Sequence, residues 1–184
     1  MDPIFVTSNP DKRREVEDIL GMKLLSASPE VHEIQHLDLA EVARAKAASA
    51  RDALGDPPEP VIVEDSGIVF RAWNGLPGAF SRWFLEAVGV EGMLGMLSGE
   101  RDRRALAVCV VAVSMRGEGI KTFRGEVQGE VATAPRGAGG FGWDPIFVPE
   151  GSSLTYAEMG EVKHEDSHRA RAFREAGRWL ARRG

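Results

Sequence analysis

Two apolar runs constrain this chain more than anything else in it. "ALAVCVVAVSM" (Ala105–Met115) has no polar residue between Ala105 and Val113 and is followed by "IKTFRGEVQGEV" (Ile120–Val131). With glycines at 117 and 119 between them, the pair reads as two long strands joined in a hairpin. "VIVEDSGIVF" (Val61–Phe70) is apolar on both sides of an acidic turn, as a strand in the middle of a sheet is. "IFVTSNP" (Ile4–Pro10) adds a short buried strand that runs into a polar turn. Helical spacing recurs around these strands: Val16, Ile19 and Leu20; Leu39, Val42, Ala43 and Ala47 within 37–54; a stretch from about Ser81 to Leu97; and Ala170, Phe173, Ala176 and Leu180 behind Ser167. The expectation is a mixed α/β fold in a single domain over residues 1–184, with no repeat and no linker.

Bulk properties exclude several functions. Hydrophobic residues make up 43% of the chain and charged ones 28%, which is globular rather than disordered. The net charge of −5 argues against a broad nucleic-acid surface, because such binding neutralises phosphates with basic side chains. A small anionic ligand then needs cations gathered at one place. The lone cysteine, Cys109, leaves no internal disulfide. No basic-then-apolar leader or membrane-length apolar run is visible, so the cytoplasm is the expected compartment, with no membrane partner.

Several short stretches carry chemistry, each beside a plainer explanation. In "TSNPDK", Thr7, Ser8 and Asn9 place hydroxyl and amide groups where a strand meets a helix N-terminus, and Lys12 adds a cation. Such a terminus favours an anion; the plainer reading is capping by Asn9 with Pro10 at the first helical position. In "VEDSG", Glu64 and Asp65 follow an apolar strand, and alternation turns the two acids in different directions. Ligands in open α/β sheets sit at the carboxyl ends of strands, so Asp65 is the candidate for a cleft. An Asx turn is the alternative. In "KHEDSHRA", His168 and Arg169 put cations at a helix N-terminus, against the dipole, unless a ligand or a carboxylate such as Glu165 or Asp166 meets them. "GAGGFG" at 137–142 matches a dinucleotide fingerprint in letters only, because Pro145 and the extended "PIFVP" replace the helix it needs. In "GFGWDPIF" (Gly140–Phe147), two rings, a glycine and an aspartate fit either core packing or a slot for a flat molecule with a polar edge. His32 and His36 lack a nearby third ligand and read as loop residues.

Taken in order, "TSNPDK", "EDSG", "NGLPG", "GGFGWDPIF", "TYAEM" and "K…SHR" resemble the inosine/xanthosine triphosphate pyrophosphatase (Ham1-like) family over nearly the whole chain. "EIQ" (Glu33–Gln35) and "EVARAKA" (Glu41–Ala47) fit as well. The resemblance implies an elongated mixed sheet flanked by helices, with two lobes around an active-site cleft, usually in a homodimer. It implies hydrolysis of ITP, dITP and XTP to the monophosphate and pyrophosphate. Thr7, Ser8, Asn9, Lys12 and Lys46 would grip the triphosphate, with Lys46 and Asp65 in the catalytic set. Glu33 and Asp65 would hold Mg²⁺. Ser66, Phe141, Gly142, Trp143, Asp144, Lys163, His168 and Arg169 would complete the nucleotide site, the rings sandwiching a purine and Asp144 reading its edge. Asp166, where the family has an apolar residue, is expected to pair with Arg169 or His168. The alternatives are a Maf-like pyrophosphatase for another modified nucleotide and a non-catalytic nucleotide-binding module.

Overall fold

A computed structural model describes residues 2–183; Met1 and Gly184, the ends of the expected domain, lie outside them. The elements run β1 (Ile4–Val6), α1 (Pro10–Leu20), β2 (Leu25–Ala27), α2 (Leu39–Ala53), β3 (Val61–Phe70), α3 (Ser81–Met96), β4 (Arg104–Ser114), β5 (Ile120–Val131), β6 (Phe147–Pro149), α4 (Tyr156–Met159) and α5 (His168–Ala181). Six strands form one sheet in the order β2-β1-β3-β4-β5-β6. β1 is parallel to β2 and β3, and the remaining pairs are antiparallel. The sheet is thus mixed and flanked by helices, as expected, and β4 and β5 form the expected hairpin.

Local chemistry places the ends of the helices. Asn9 accepts from the N–H groups of Asp11 and Lys12 and Pro10 follows it, so α1 starts at the position the sequence marks. Ser167 caps α5 by accepting from the N–H of Ala170. Asp38 caps α2, which therefore begins two residues later than the apolar spacing alone suggests. One expectation fails: there is no acidic turn in the 61–70 run. β3 passes unbroken through Glu64 and Asp65, pairing residue for residue with β4 from Val61↔Ser114 to Phe70↔Ala105. A continuous ladder satisfies the backbone, and ion pairs described below satisfy Glu64, so nothing forces the chain to turn.

Because side chains alternate, β3 sends its residues to two different environments. Ile62 packs with Cys109, Val111 and Val113 against Phe5, Val16 and Phe173, beneath α1 and α5. Val61 and Val63 pack with Val108 and Val110 against Ala43, Ala47 and Ala50 of α2, on the opposite face. Further along, Ile68 and Phe70 join Met93, Leu97, Trp143, Phe147 and Tyr156 in a second lobe. Glu64 and Asp65 fall between the two lobes, one on each face.

An opening exists because β1 is short. Its last pairing with β3 is Phe5↔Ile62, whereas β3 continues for eight more residues to Phe70. Beyond Val6 the chain turns away through Thr7–Asn9 into α1, leaving an unpaired edge of β3 next to the carboxyl end of β1. Parallel strands that diverge in this way create a crevice. The "NGLPG" loop closes over the strand just past the acids: a Cβ on Gly67 would lie 2.0 Å from the Gly78 carbonyl oxygen.

Gly67→Ala is therefore expected to cost at least 1–3 kcal/mol, of the order seen for overpacked cores. Gly95→Ala, in a helix with open space around it, is expected to add about 0.5–1 kcal/mol. Urea unfolding of both variants checks the pair.

Candidate active site

The N-terminus of α1 forms one wall of the crevice. Thr7 Oγ1 accepts from the Asn9 N–H at 3.1 Å, and Asn9 Oδ1 accepts from Asp11 at 2.9 Å and Lys12 at 3.2 Å. The plainer capping reading of "TSNPDK" thus describes what Asn9 does, while Ser8 is left exposed. Lys12 does not lie on a solvated face; its Nζ is 2.5 Å from Glu64 Oε1.

On the same side of the sheet, Glu64 is the centre of a buried array. It is 2% exposed; Arg169 Nε lies 3.3 Å from its Oε2, and the Cys109 thiol donates to that oxygen at 3.1 Å. Burial alone would raise the carboxyl's pKa, but Arg169 and Lys12 outweigh it and hold Glu64 well below the ordinary carboxylate range. Arg169 also reaches Glu15 Oε1 at 3.0 Å and donates to Ser66 Oγ at 3.1 Å. Glu15 in turn meets Lys163 at 3.2 Å, and Lys163 meets Asp144 Oδ2 at 2.6 Å. The chain Lys12–Glu64–Arg169–Glu15–Lys163–Asp144 alternates in sign and joins α1, β3, α5 and the 140–147 loop. Asp166 is not in it. It pairs with Arg171 instead of Arg169 or His168, because Arg169 points inward from the first turn of α5 while Arg171 stays at the surface.

The rings are arranged differently from the expected sandwich. Phe141 is half-buried, with Lys163 Nζ 5.2 Å and the Arg169 guanidinium 5.3 Å from its centroid. Trp143 instead packs inward, 7% exposed, against Phe147, Tyr156 and His168. Asp144 is likewise turned away from an open edge: besides Lys163 it accepts from the Phe141 N–H at 2.9 Å. Gly140, at φ 68°, gives it room, since a Cβ there would lie 2.1 Å from its carboxylate. Gly142 is exposed at φ 63°. The loop therefore folds on its own aspartate, and Phe141 is the ring left on its partly exposed side. His168 stacks on Tyr156 with centroids 5.8 Å apart. Burial drives its pKa well below the usual value, so the ring is neutral, and neither nitrogen has a hydrogen-bond partner among the described residues. Unpaired polar atoms at such depth are uncommon without a purpose.

Asp65 occupies the other face of β3, on the side of α2. Unlike Glu64, it makes no ion pair among the described residues. Burial raises its pKa to about 6; Lys12 and Lys46 pull it down while Glu64 and Glu33 push it up. Lys46, on α2, has its Nζ 2.5 Å from Glu33 Oε1, and Arg82 lies 3.8 Å from Glu33 Oε2. Glu33 and Asp65 offer two hard oxygen donors, and no group of three metal-binding side chains is present among the described residues. That set fits a small divalent cation that completes its shell with water and phosphate oxygens.

The sequence reading missed Glu15 and Arg82. Glu15 stands four residues before buried Ile19 on α1, and a carboxylate at a core-facing helical position was a signal available in the sequence. Arg82 had none, being one arginine among many at a helix start.

A Ham1 family model matches residues 3–179. The chain is 42% identical over 183 residues to a dITP/XTP pyrophosphatase of Pyrobaculum aerophilum, covering 97% of this chain and 96% of that one. It is 41% identical to inosine triphosphate pyrophosphatase 2 of Trypanosoma cruzi, covering 92% and 87%. Among solved structures it superposes on the Staphylococcus aureus Ham1 protein with a TM-score of 0.82 at 31% identity, covering 99% of this chain and 100% of that one.

Two stability outcomes follow. Glu64→Gln leaves Arg169 and Lys12 without their shared carboxylate and is expected to cost about 3–5 kcal/mol, read by urea unfolding. Asp65→Asn is expected to stabilise. The folded-state pKa of Asp65 lies above its ordinary 3.8, so the ionised form is disfavoured by folding, and the penalty grows as pH rises from about 4 to about 6. The variant's Tm should exceed that of the parent at pH 8, by the equivalent of about 1–2 kcal/mol, and match it near pH 3.5.

Proposed function

The chain belongs to the Ham1 family, and from that premise we propose how it acts. It is a nucleoside-triphosphate pyrophosphatase that hydrolyses non-standard purine nucleoside triphosphates (ITP, dITP and XTP) to the nucleoside monophosphate and pyrophosphate. The observation that carries the reading is Asp65: a carboxylate with no ion pair among the described residues, its pKa raised to about 6 by burial, within the field of two lysines. A group poised in that way suits proton removal from water.

The triphosphate lies along the open edge of β3. Lys12, Lys46 and the Ser8 hydroxyl take its phosphate oxygens, and Lys12 and Lys46 exchange their carboxylate partners for phosphate. Asp65 accepts a proton from water as the water oxygen bonds to the α-phosphorus. The bond from that phosphorus to the α–β bridging oxygen breaks, and pyrophosphate leaves with its charge met by the lysines. Glu33 and Asp65 would hold Mg²⁺, which supplies compact positive charge to the phosphate oxygens. No general acid is required, because pyrophosphate is already a stable anion.

The base end is set by hydrogen-bond direction. Arg169 already serves Glu15, Glu64 and Ser66, so His168, neutral and with both nitrogens uncommitted, is the better donor to a 6-keto oxygen. Adenine presents an amino group there and would leave the buried donor unpaired. Sites that depend on such a pairing discriminate by about 10⁴-fold. The face of Phe141 would cover the purine. On the family resemblance the working unit is a homodimer in the cytoplasm. No helix among the described residues is long and apolar enough to cross a membrane.

Pyrophosphate release from ITP, XTP, dITP, GTP and ATP, each with and without Mg²⁺, tests the reading. Metal-dependent turnover of ITP, dITP and XTP with little of ATP is expected, with kcat/KM rising as pH passes about 6, where Asp65 ionises. Equal turnover of ATP, or full turnover by Asp65→Asn, overturns it.

A further inference from the structure

Glu33 and Lys46 already hold each other, whereas Asp65 makes no ion pair among the described residues. Lys46 is engaged with Glu33 at 2.5 Å, with its side chain only 16% exposed. Arg82 stands on the other oxygen of the same carboxylate at 3.8 Å. A free divalent cation approaching Glu33 must displace an ammonium already in contact with it. Lys46, only 16% exposed, is then left with Asp65 as its remaining counter-charge, and that carboxylate is itself drawn toward the cation. A triphosphate arriving alone meets the converse problem: drawing Lys46 away leaves Glu33 with only the 3.8 Å contact to Arg82, and the charges of Glu33 and Asp65 then oppose the incoming anion. When cation and triphosphate arrive together, both difficulties disappear. The carboxylates turn to the cation, Lys46 turns to phosphate, and every charge keeps an opposite neighbour.

We propose that the Glu33–Lys46 ion pair couples the two ligands, so that the protein takes up the cation–triphosphate complex as a unit and binds the free cation poorly. The proposal rests on the functional reading above for the identity of the ligands, and it adds an order of events and a positioning role for the pair. Coupling of this kind is reciprocal: the factor by which triphosphate improves cation binding equals the factor by which the cation improves triphosphate binding.

Mn²⁺ serves as the probe, because its free and bound forms are separated by electron paramagnetic resonance without any turnover. Titrations are made on the whole protein, with and without inorganic tripolyphosphate, which carries the phosphates and lacks the base. The parent is expected to bind Mn²⁺ alone weakly and to gain about tenfold or more when tripolyphosphate is present, after allowance for the Mn²⁺–tripolyphosphate complex itself. Lys46→Met frees Glu33, so it should bind Mn²⁺ alone about tenfold more tightly than the parent and lose most of the gain from tripolyphosphate. Lys46→Gln repeats the test should the methionine variant misfold. Adding Glu33→Gln to Lys46→Met should abolish the improvement, which assigns it to Glu33 rather than Asp65. Arg82→Met removes an equal charge beside Glu33 without breaking the 2.5 Å contact and should do much less. Equal Mn²⁺ affinity in parent and Lys46→Met overturns the proposal, as does an Arg82→Met effect as large as that of Lys46→Met, which would mean the general field of the site and not the ion pair. If the Mn²⁺ results come out as expected while ITP is not hydrolysed, the coupling stands and the functional reading falls.

Discussion

Arg169 is the residue on which the rest of the site depends. A guanidinium at 2% exposure is tolerable only if opposite charges surround it closely. Glu15 and Glu64 do so from two different elements, a helix and the middle of the sheet. Their positions are not free: Glu64 belongs to a strand whose register is locked to β4 along its full length, and Glu15 belongs to the helix whose first turn carries Asn9 and Lys12. Satisfying one buried arginine therefore constrains how α1 faces β3 and how α5 lies over both. Gly125 completes the fit, since a Cβ there would lie 2.1 Å from the His168 carbonyl oxygen. Only a bare strand lets the start of α5 come down far enough for Arg169 to reach Glu64.

The same array ties together the two ends of the proposed nucleotide site. Lys12, at the proposed phosphate end, shares Glu64 with Arg169; Lys163, at the proposed base end, shares Glu15 with Arg169. Asp65 stands outside the array although it is adjacent in sequence to Glu64. The pleat sends it to the opposite face, where burial acts on it with no ion pair to compensate. Two neighbouring acids thus acquire opposite characters: Glu64 is held ionised by its ion pairs, and burial raises the pKa of Asp65 to about 6. Such separation of titratable groups by environment is what acid–base sites require.

Much of this was legible in the sequence where a residue's job is local. Asn9 followed by Pro10 announces a capped helix because the groups that satisfy it lie within three residues. The alternation in "VIVEDSGIVF" announced that Glu64 and Asp65 part company, because the period of a strand is fixed by its backbone. The acidic pair nonetheless looked like a turn, since from the sequence alone no partner for Glu64 could be seen; Arg169 is 105 residues away. Likewise "GFGWDPIF" displayed two rings, yet only packing decided that Trp143 turns inward to Phe147 and Tyr156 while Phe141 stays beside Lys163 and Arg169.

What the sequence determined by itself was the alphabet and order of the elements: a strand ending in a helix cap, an apolar run around Glu64 and Asp65, a long antiparallel hairpin, and a last helix opening on His168 and Arg169. These follow from periodicity and capping, which act over a few residues. What only the tertiary structure decided was pairing: which carboxylate holds which cation, which of two neighbouring acids is left without a partner, and which ring is left facing the crevice. Charge interactions depend on distance in space and on exclusion of water, and both are set by contacts between residues far apart in the chain. For that reason Lys12, Lys46 and Asp65 could be named from the sequence, but the ion pairs of the two lysines, and the lack of one at Asp65 among the described residues, could not.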